Sequence, residues 1–242
     1  MGGRSLSILT KGCVKMIFIT GASRGIGQLL LKHFQSQGQD CHGTYFRSDP
    51  LNNEALSRVD VRSFNAVSSW VNESLIDKTD DQLVLINCAG ITYNSFAHKA
   101  DMEMWRDVLE VNLIGSFNTI RAILPHMRSR NYGRIINISS VVGQKAVPGT
   151  SAYAASKSAL WGMTRAIAIE NSSKNITVNN INLGYFDIGI IDEVPEEQLA
   201  SVVKEIPVGR LGQPDNIIKT IEFLLNNGDV CGSSIDVNGG LF

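Results

Sequence analysis

The chain has 242 residues, 43% of them hydrophobic and 19% charged, and 22 Lys plus Arg stand against 23 Asp plus Glu for a formal net charge of -1. A chain of this length buries roughly 70–75% of its unfolded surface, so one α/β domain needs no disulfide or metal to hold its core. The even charge balance argues against a nucleic-acid binder, and no apolar run is long enough to span a bilayer. Cys13, Cys41, Cys88 and Cys231 form no C-x-x-C pair, which suits reduced thiols in a cytoplasm. His33, His42, His98 and His126 have no second ligand at i+3 or i+4, so no metal site is expected.

Residues 1–15, MGGRSLSILTKGCVK, are too short and polar for a signal-peptide core, and Leu6 stands where a myristoylation motif needs Ser or Thr. The expectation is a disordered leader, followed by one domain over residues 16–242. Met16–Thr20 reads as a buried strand, Gly25–Gln37 as a helix and Asp40–Phe46 as a second strand. The short, turn-rich stretch between Thr44 and Asp60 predicts a loop with a turn or two of helix. Leu83–Asn87, Arg134–Ile138, Ile176–Leu183 and Ser233–Val237 read as strands. Helical patterns cover Met102–Arg128, Ser151–Asn171 and Pro214–Asn226, and Pro195-Glu196-Glu197 reads as a helix start. Strands alternating with helices predict an α/β fold, a Rossmann-like doubly wound parallel sheet with helices on both faces.

Thr20-Gly21-Ala22-Ser23-Arg24-Gly25-Ile26-Gly27 follows the first strand and opens a helix. Glycines there permit a tight turn and let backbone approach a pyrophosphate, which meets the free N–H groups of the helix end. A plain turn before a helix has the same look, and the G-x-x-x-G-x-G spacing differs from the G-x-G-x-x-G of the dinucleotide fingerprint. The acidic residue that grips an adenosine ribose belongs near the end of the second strand. Here that end reads Thr44-Tyr45-Phe46-Arg47, with no carboxylate before Asp49. Arg47, with Arg24 in the turn, suits a 2′-phosphate, so the cofactor expected is NADP(H).

Tyr153 and Lys157 stand four apart on one helix face, where an ammonium can stabilise a phenolate. A shift of about three units in the phenol would take roughly 4 kcal/mol. Ser140 ends a strand thirteen residues earlier, at the carboxyl edge where open parallel sheets place their chemistry. Its hydroxyl can hold a carbonyl oxygen while the tyrosine protonates it. Taken singly, each of these residues is equally at home in a surface pair or a turn.

With these motifs in order, the chain resembles the short-chain dehydrogenase/reductase family from about Met16 to Leu241. Thr20–Gly27 is similar to T-G-x-x-x-G-I-G, Asp60-Val61 to the adenine-contacting D-V, Asn87-Cys88-Ala89-Gly90 to N-N-A-G, and Ser140, Tyr153 and Lys157 to the catalytic serine and Y-x-x-x-K. The resemblance implies that Tyr153 is the general acid of reduction and that Lys157 lowers its pKa and holds the nicotinamide ribose. It implies that Ser140 orients the carbonyl and that Asn112 anchors a water relaying protons to Lys157. Cofactor contacts implied are Gly21, Ala22, Ser23, Arg24, Ile26, Phe46, Arg47, Asp60, Val61, Asn87, Cys88, Ala89, Gly90, Gly184 and Phe186. Three positions depart from the pattern: Cys88 for Asn, Leu183 for the Pro of N-P-G, and Ile188 for a Thr that bonds the carboxamide.

Within the family the chain is similar to the 3-oxoacyl acyl-carrier-protein reductases, through Arg134-Ile135-Ile136-Asn137, Ser140-Val141-Val142-Gly143, Val208-Gly209-Arg210-Leu211-Gly212 and Val237-Asn238-Gly239-Gly240. That likeness implies basic residues at the site mouth for an acidic carrier protein, here Arg130 beside Asn131, and Lys174. The loop Tyr185–Pro207, with Ile188, Ile190, Ile191 and Val194, forms an apolar cover suited to an acyl chain, a steroid or a polyketide. Trp105, Phe117, Leu160, Trp161 and Met163 give two helices surplus apolar surface, and the family implies a homotetramer. Three functions fit: a 3-oxoacyl thioester reductase, a reductase or dehydrogenase of a free ketone, sugar or small alcohol, and a cofactor-binding scaffold without turnover.

Overall fold

A computed structural model of the chain describes residues 15–47, 53–76, 78, 82–145, 147–189, 191 and 196–242. The expected leader up to residue 14, Cys13, Asp49, Ile190, Val194 and Pro195 lie outside the described residues. Seven parallel strands form one sheet in the order β3-β2-β1-β4-β5-β6-β7. They are β1 (Lys15–Thr20), β2 (Asp40–Tyr45), β3 (Leu56–Arg58), β4 (Gln82–Asn87), β5 (Gly133–Ser140), β6 (Ile176–Leu183) and β7 (Ser234–Val237). The helices are α1 (Gly25–Ser36), α2 (Phe64–Ser74), α3 (Met102–Leu109), α4 (Gly115–Arg130), α5 (Ser151–Asn171), α6 (Glu196–Glu205) and α7 (Pro214–Asn226). Among the described residues no helix is long and apolar enough to cross a membrane.

The period of two along each strand divides the core between the two faces of the sheet. In β1, Ile17 and Ile19 pack with Leu30, Leu31 and Phe34 of α1 and Ile217, Ile221 and Leu224 of α7. Met16 and Phe18 point the other way, against Val67, Trp70 and Val71 of α2 and Ile120, Ile123 and Met127 of α4. Both faces are covered, which explains the unbroken apolar runs of β1 and β4. The strand order reverses between β1 and β4, and that switch point opens a crevice beyond their carboxyl ends.

A polar row crosses this apolar sheet. Thr20, Asn87, Asn137, Asn180 and Ser234 stand level on β1, β4, β5, β6 and β7. Asn87 Nδ2 donates to Asn137 Oδ1 at 2.9 Å, Asn137 Nδ2 to Thr164 Oγ1 at 3.0 Å and Asn180 Oδ1 at 3.3 Å, and Asn180 Nδ2 to Ser234 Oγ at 3.1 Å. Thr119 Oγ1 of α4 donates to Asn87 Oδ1 at 2.7 Å, and Thr164 Oγ1 of α5 to Asn180 Oδ1 at 2.6 Å. Every member is thereby satisfied, as burial of amides requires.

Three elements differ from expectation. Among its described residues, the segment between Thr44 and Asp60 holds the short edge strand β3, whose Arg58 pairs level with Tyr45; residues 48–52, where the expected helical turn also falls, lie outside the described residues. Helix α2 was not foreseen; Ser63 caps it by accepting from Ala66 N at 3.3 Å, and Val67, Trp70 and Val71 give it one narrow buried stripe. The expected helix Met102–Arg128 is broken by a π-helical turn, Glu110–Ile114, and continues to Arg130. Leu160, counted as surplus apolar surface, is buried in the core, whereas Phe117 is 43% exposed.

Candidate active site

The glycine turn is built by contacts that reach across the sheet. Gly21 has φ +65°, and a Cβ there would lie 2.8 Å from Ala89 Cα; a Cβ on Gly27 would lie 2.3 Å from the Gly21 carbonyl oxygen. Backbone has therefore taken the space that side chains occupy elsewhere, and the first turn of α1 comes close against the chain. Thr20 Oγ1 accepts from Cys88 N at 3.1 Å and Ala89 N at 3.0 Å, which ties the ends of β1 and β4 together. Ala22 N donates to Thr44 O at 2.7 Å and Gln28 Nε2 to Ser23 O at 3.1 Å. Arg24 precedes α1 in extended conformation, and no side chain caps the helix. Its first N–H groups face the crevice as donors for an anion. These residues fit the pyrophosphate of a dinucleotide. Thr20 was read only as part of the motif; its hydroxyl is what fixes the geometry.

At the end of β2, Phe46 is exposed and lies 5.8 Å from the Arg58 and 5.6 Å from the Arg62 guanidinium. Arg62 forks onto the Asp60 carboxylate, with Nε at 3.0 Å from Oδ1 and Nη2 at 2.7 Å from Oδ2, and reaches Asp107 at 3.0 Å. Hydrogen bonding from Arg62, with Arg47 adding to it, holds the Asp60 carboxyl below its ordinary range. Asp60 was expected to face adenine; its oxygens are largely committed to this fork. Val61 is buried against Gly115. Neither Arg58 nor Arg62 was singled out from sequence, because β3 itself was not foreseen.

Several expected cofactor contacts also engage groups within the protein. The Asn87 side chain belongs to the polar row, so only its backbone adjoins the glycine turn. Phe186 is buried beside Gly212, where a Cβ would meet its ring at 2.6 Å. Gly184 donates its N–H to Val237 O at 3.0 Å, and Ile26, Cys88 and Ile188 pack against the core beside α1 and α7. The Cys88 thiol is pushed up to about 12 by burial, with the Lys157 charge opposing.

Ser140, Tyr153 and Lys157 come together at the carboxyl end of β5. Burial drives the Tyr153 phenol above its ordinary pKa, and the neighbouring Ser140 hydroxyl only partly offsets it. The Lys157 ammonium lies 5.6 Å from the Tyr153 ring centroid and donates to Ile138 O at 2.7 Å. Burial lowers Lys157 to about 8. In the protein without a bound nucleotide, burial sets the direction for Tyr153 and raises its phenol above the ordinary pKa. A Cβ at Gly90 would lie 3.3 Å from Asn112 Oδ1 and 3.8 Å from Lys157 Nζ, so the bare glycine keeps that space open beside the ammonium. Asn112, on the π turn, accepts from Ile91 N at 2.9 Å and donates to Ile91 O at 3.0 Å and Ser156 Oγ at 3.0 Å. Its side chain clamps the β4 loop to α5.

The basic rim is not at this mouth. Arg130 ends α4 and donates to the His126 and Lys78 carbonyls, and Lys174 precedes β6. Both sit at the amino ends of the strands, and the eight residues of β5 put about 23 Å between that end and Ser140.

A family model described as short chain dehydrogenase matches residues 15–199. An acetoacetyl-CoA reductase of Shinella zoogloeoides is 37% identical over 238 residues, covering 94% of this chain and 98% of that one. A 3-oxoacyl acyl-carrier-protein reductase of Pseudomonas aeruginosa is 35% identical over 241 residues, covering 94% and 97%. Among solved structures, the ligand-free aldohexose dehydrogenase of Thermoplasma acidophilum superposes with a TM-score of 0.86 at 26% identity, over 95% of this chain and 94% of that one.

Proposed function

Because the chain belongs to the short-chain dehydrogenase family, we propose that it is an NADPH-dependent reductase that converts a 3-oxoacyl thioester to the 3-hydroxyacyl thioester. The observation that carries this reading is the convergence of Ser140, Tyr153 and Lys157 at the carboxyl end of β5, with Lys157 Nζ 5.6 Å from the Tyr153 ring centroid. When bound, the nicotinamide supplies the hydride. Ser140 Oγ holds the carbonyl oxygen, and Tyr153 Oη gives that oxygen its proton, which suits a phenol that keeps its proton at neutral pH. Lys157, cationic below about pH 8, stabilises the phenolate left behind and presents its ammonium to ribose hydroxyls beside Gly90. Arg24 and Arg47 suit the 2′-phosphate.

Similarity to an acetoacetyl-CoA reductase and to carrier-protein reductases supports the thioester class. We read Arg130 and Lys174 as serving the site of a neighbouring copy in a homotetramer. Ile114 at the end of the π turn and Phe117 of α4, three apart and 40% and 43% exposed, give this helical surface the apolar area such packing needs. Free Cys41, Cys88 and Cys231 suit a reducing cytoplasm.

The test is NADPH oxidation with acetoacetyl-CoA beside acetoacetyl carrier protein, NADH and a Tyr153→Phe control. Turnover that prefers NADPH and vanishes in the control supports the reading. Preference for the carrier-bound substrate, lost on Arg130→Glu with Lys174→Glu, assigns the rim. Tight cofactor binding without thioester turnover defeats the substrate assignment and directs the search to free ketones and sugars.

A further inference from the structure

Arg47, Arg58 and Arg62 lie about the carboxyl ends of β2 and β3, near Phe46 and Asp60, yet the chain spends them unequally. Arg62 is held by Asp60 and Asp107 and has little left for a ligand. Arg58 is exposed, and its one hydrogen bond among the described residues is weak, from Nε to the Phe46 carbonyl at 3.4 Å. No carboxylate of the described residues pairs with it, and neither of its terminal nitrogens is engaged. Its place is fixed all the same: β3 runs parallel to β2 with Arg58 level with Tyr45, Val59 N donates to Tyr45 O at 2.8 Å, and the guanidinium lies over the exposed Phe46 ring. Phe46 thus serves as a shelf that holds a fork of donors at the strand end where a nucleotide ribose arrives.

We propose that Arg58 is a specificity-determining residue that receives the 2′-phosphate of the nucleotide, from β3 on the side opposite the glycine turn. The inference rests on the NADPH reading and adds a cation that neither motif position supplies. A planar guanidinium with free Nη groups can take a phosphate bidentately, and its partial exposure makes the contact sensitive to salt. An arginine on an edge strand also deters strand pairing with other chains, but that role is indifferent to the cofactor.

The experiment compares the dissociation constants of NADPH, NADH, 2′,5′-ADP and 5′-AMP for the wild type, Arg58→Gln, Arg58→Lys and Arg47→Gln by calorimetry, with the thermal midpoint of each unliganded variant. Arg58→Gln is expected to weaken NADPH and 2′,5′-ADP about tenfold, one charged hydrogen bond's worth. It should leave NADH and 5′-AMP within about twofold, with an unchanged midpoint. Arg58→Lys should fall between, and the difference should shrink at high salt. An unchanged ratio of NADPH to NADH affinity in Arg58→Gln overturns the proposal, whether both weaken together or neither does. If the wild type binds both cofactors alike, the NADPH reading itself fails and takes this inference with it. If Arg47→Gln destroys the preference while Arg58→Gln keeps it, only the inference fails.

Discussion

Replacing Lys157 with Met should make the protein more stable and inactive at once. Lys157 is buried with its pKa lowered to about 8 from an ordinary 10.5, so holding its charge inside the fold at pH 7 costs roughly 3 kcal/mol. The ammonium returns part of this through its 2.7 Å bond to Ile138 O, whose loss leaves a carbonyl unpaired at a cost of about 1 kcal/mol. The net gain on substitution is about 2 kcal/mol, which for a chain of this size raises Tm by about 4–8 °C. The sign with pH follows from linkage. Between about 8 and 10.5 the folded lysine has released its proton while the unfolded one keeps it, so the wild type gains stability as pH rises through that window. The methionine variant has no such group. Its advantage should be full at pH 7, close above pH 8 and disappear by about 10.5. Denaturant melts at pH 7 and 9.5 measure this directly. A variant less stable at pH 7, or an advantage that ignores pH, would refute the reasoning.

Reduction should slow as pH rises above about 8, because a neutral Lys157 no longer stabilises the phenolate that Tyr153 leaves behind; a rate flat to pH 10 contradicts that role. Tyr153→Phe should lower turnover by about 10²–10⁴-fold with cofactor affinity preserved, as titration of bound nucleotide will show. Gly21→Ala forces a left-handed residue, costing about 1–2 kcal/mol, and drives a Cβ onto the Ala89 backbone. It should lower Tm and weaken cofactor binding more than tenfold, while a variant that binds normally would show the turn to be incidental. Cys88, at about 12, should react with iodoacetamide at pH 8 roughly 10³-fold more slowly than an unburied thiol, checked by mass spectrometry of the labelled peptide.

The parallel sheet was legible because β1 and β4 are apolar runs and β5 and β6 carry Ile, Val and Leu between their polar residues. The glycine turn and the Ser140, Tyr153, Lys157 set were legible because close backbone approach and a fixed phenol demand specific residues at fixed spacing. The missed elements carry weaker signals. Helix α2 holds three serines and two β-branched valines, with a buried stripe of only three residues, and β3 is three residues long. The π turn leaves the apolar pattern of Met102–Arg128 intact and becomes visible only when Asn112 reaches back to Ile91. Ionisation resisted sequence reading for another reason. Spacing brings Tyr153 and Lys157 together, whereas the depth of each group, which spacing does not encode, raises the phenol and lowers the ammonium.

Thr20, Asn87, Asn137, Asn180 and Ser234 also act as a keyway during assembly. A strand displaced by one residue would set an amide of this row among isoleucines, against Ile86, Ile136 or Ile181. It would leave donors and acceptors unpaired at about 1–3 kcal/mol each and present the wrong face to the helices. Misaligned sheets are thus penalised at the one level where all five strands meet. Ser140 stands three residues beyond Asn137, so the correction that aligns the strands also sets the height at which the reacting hydroxyl emerges.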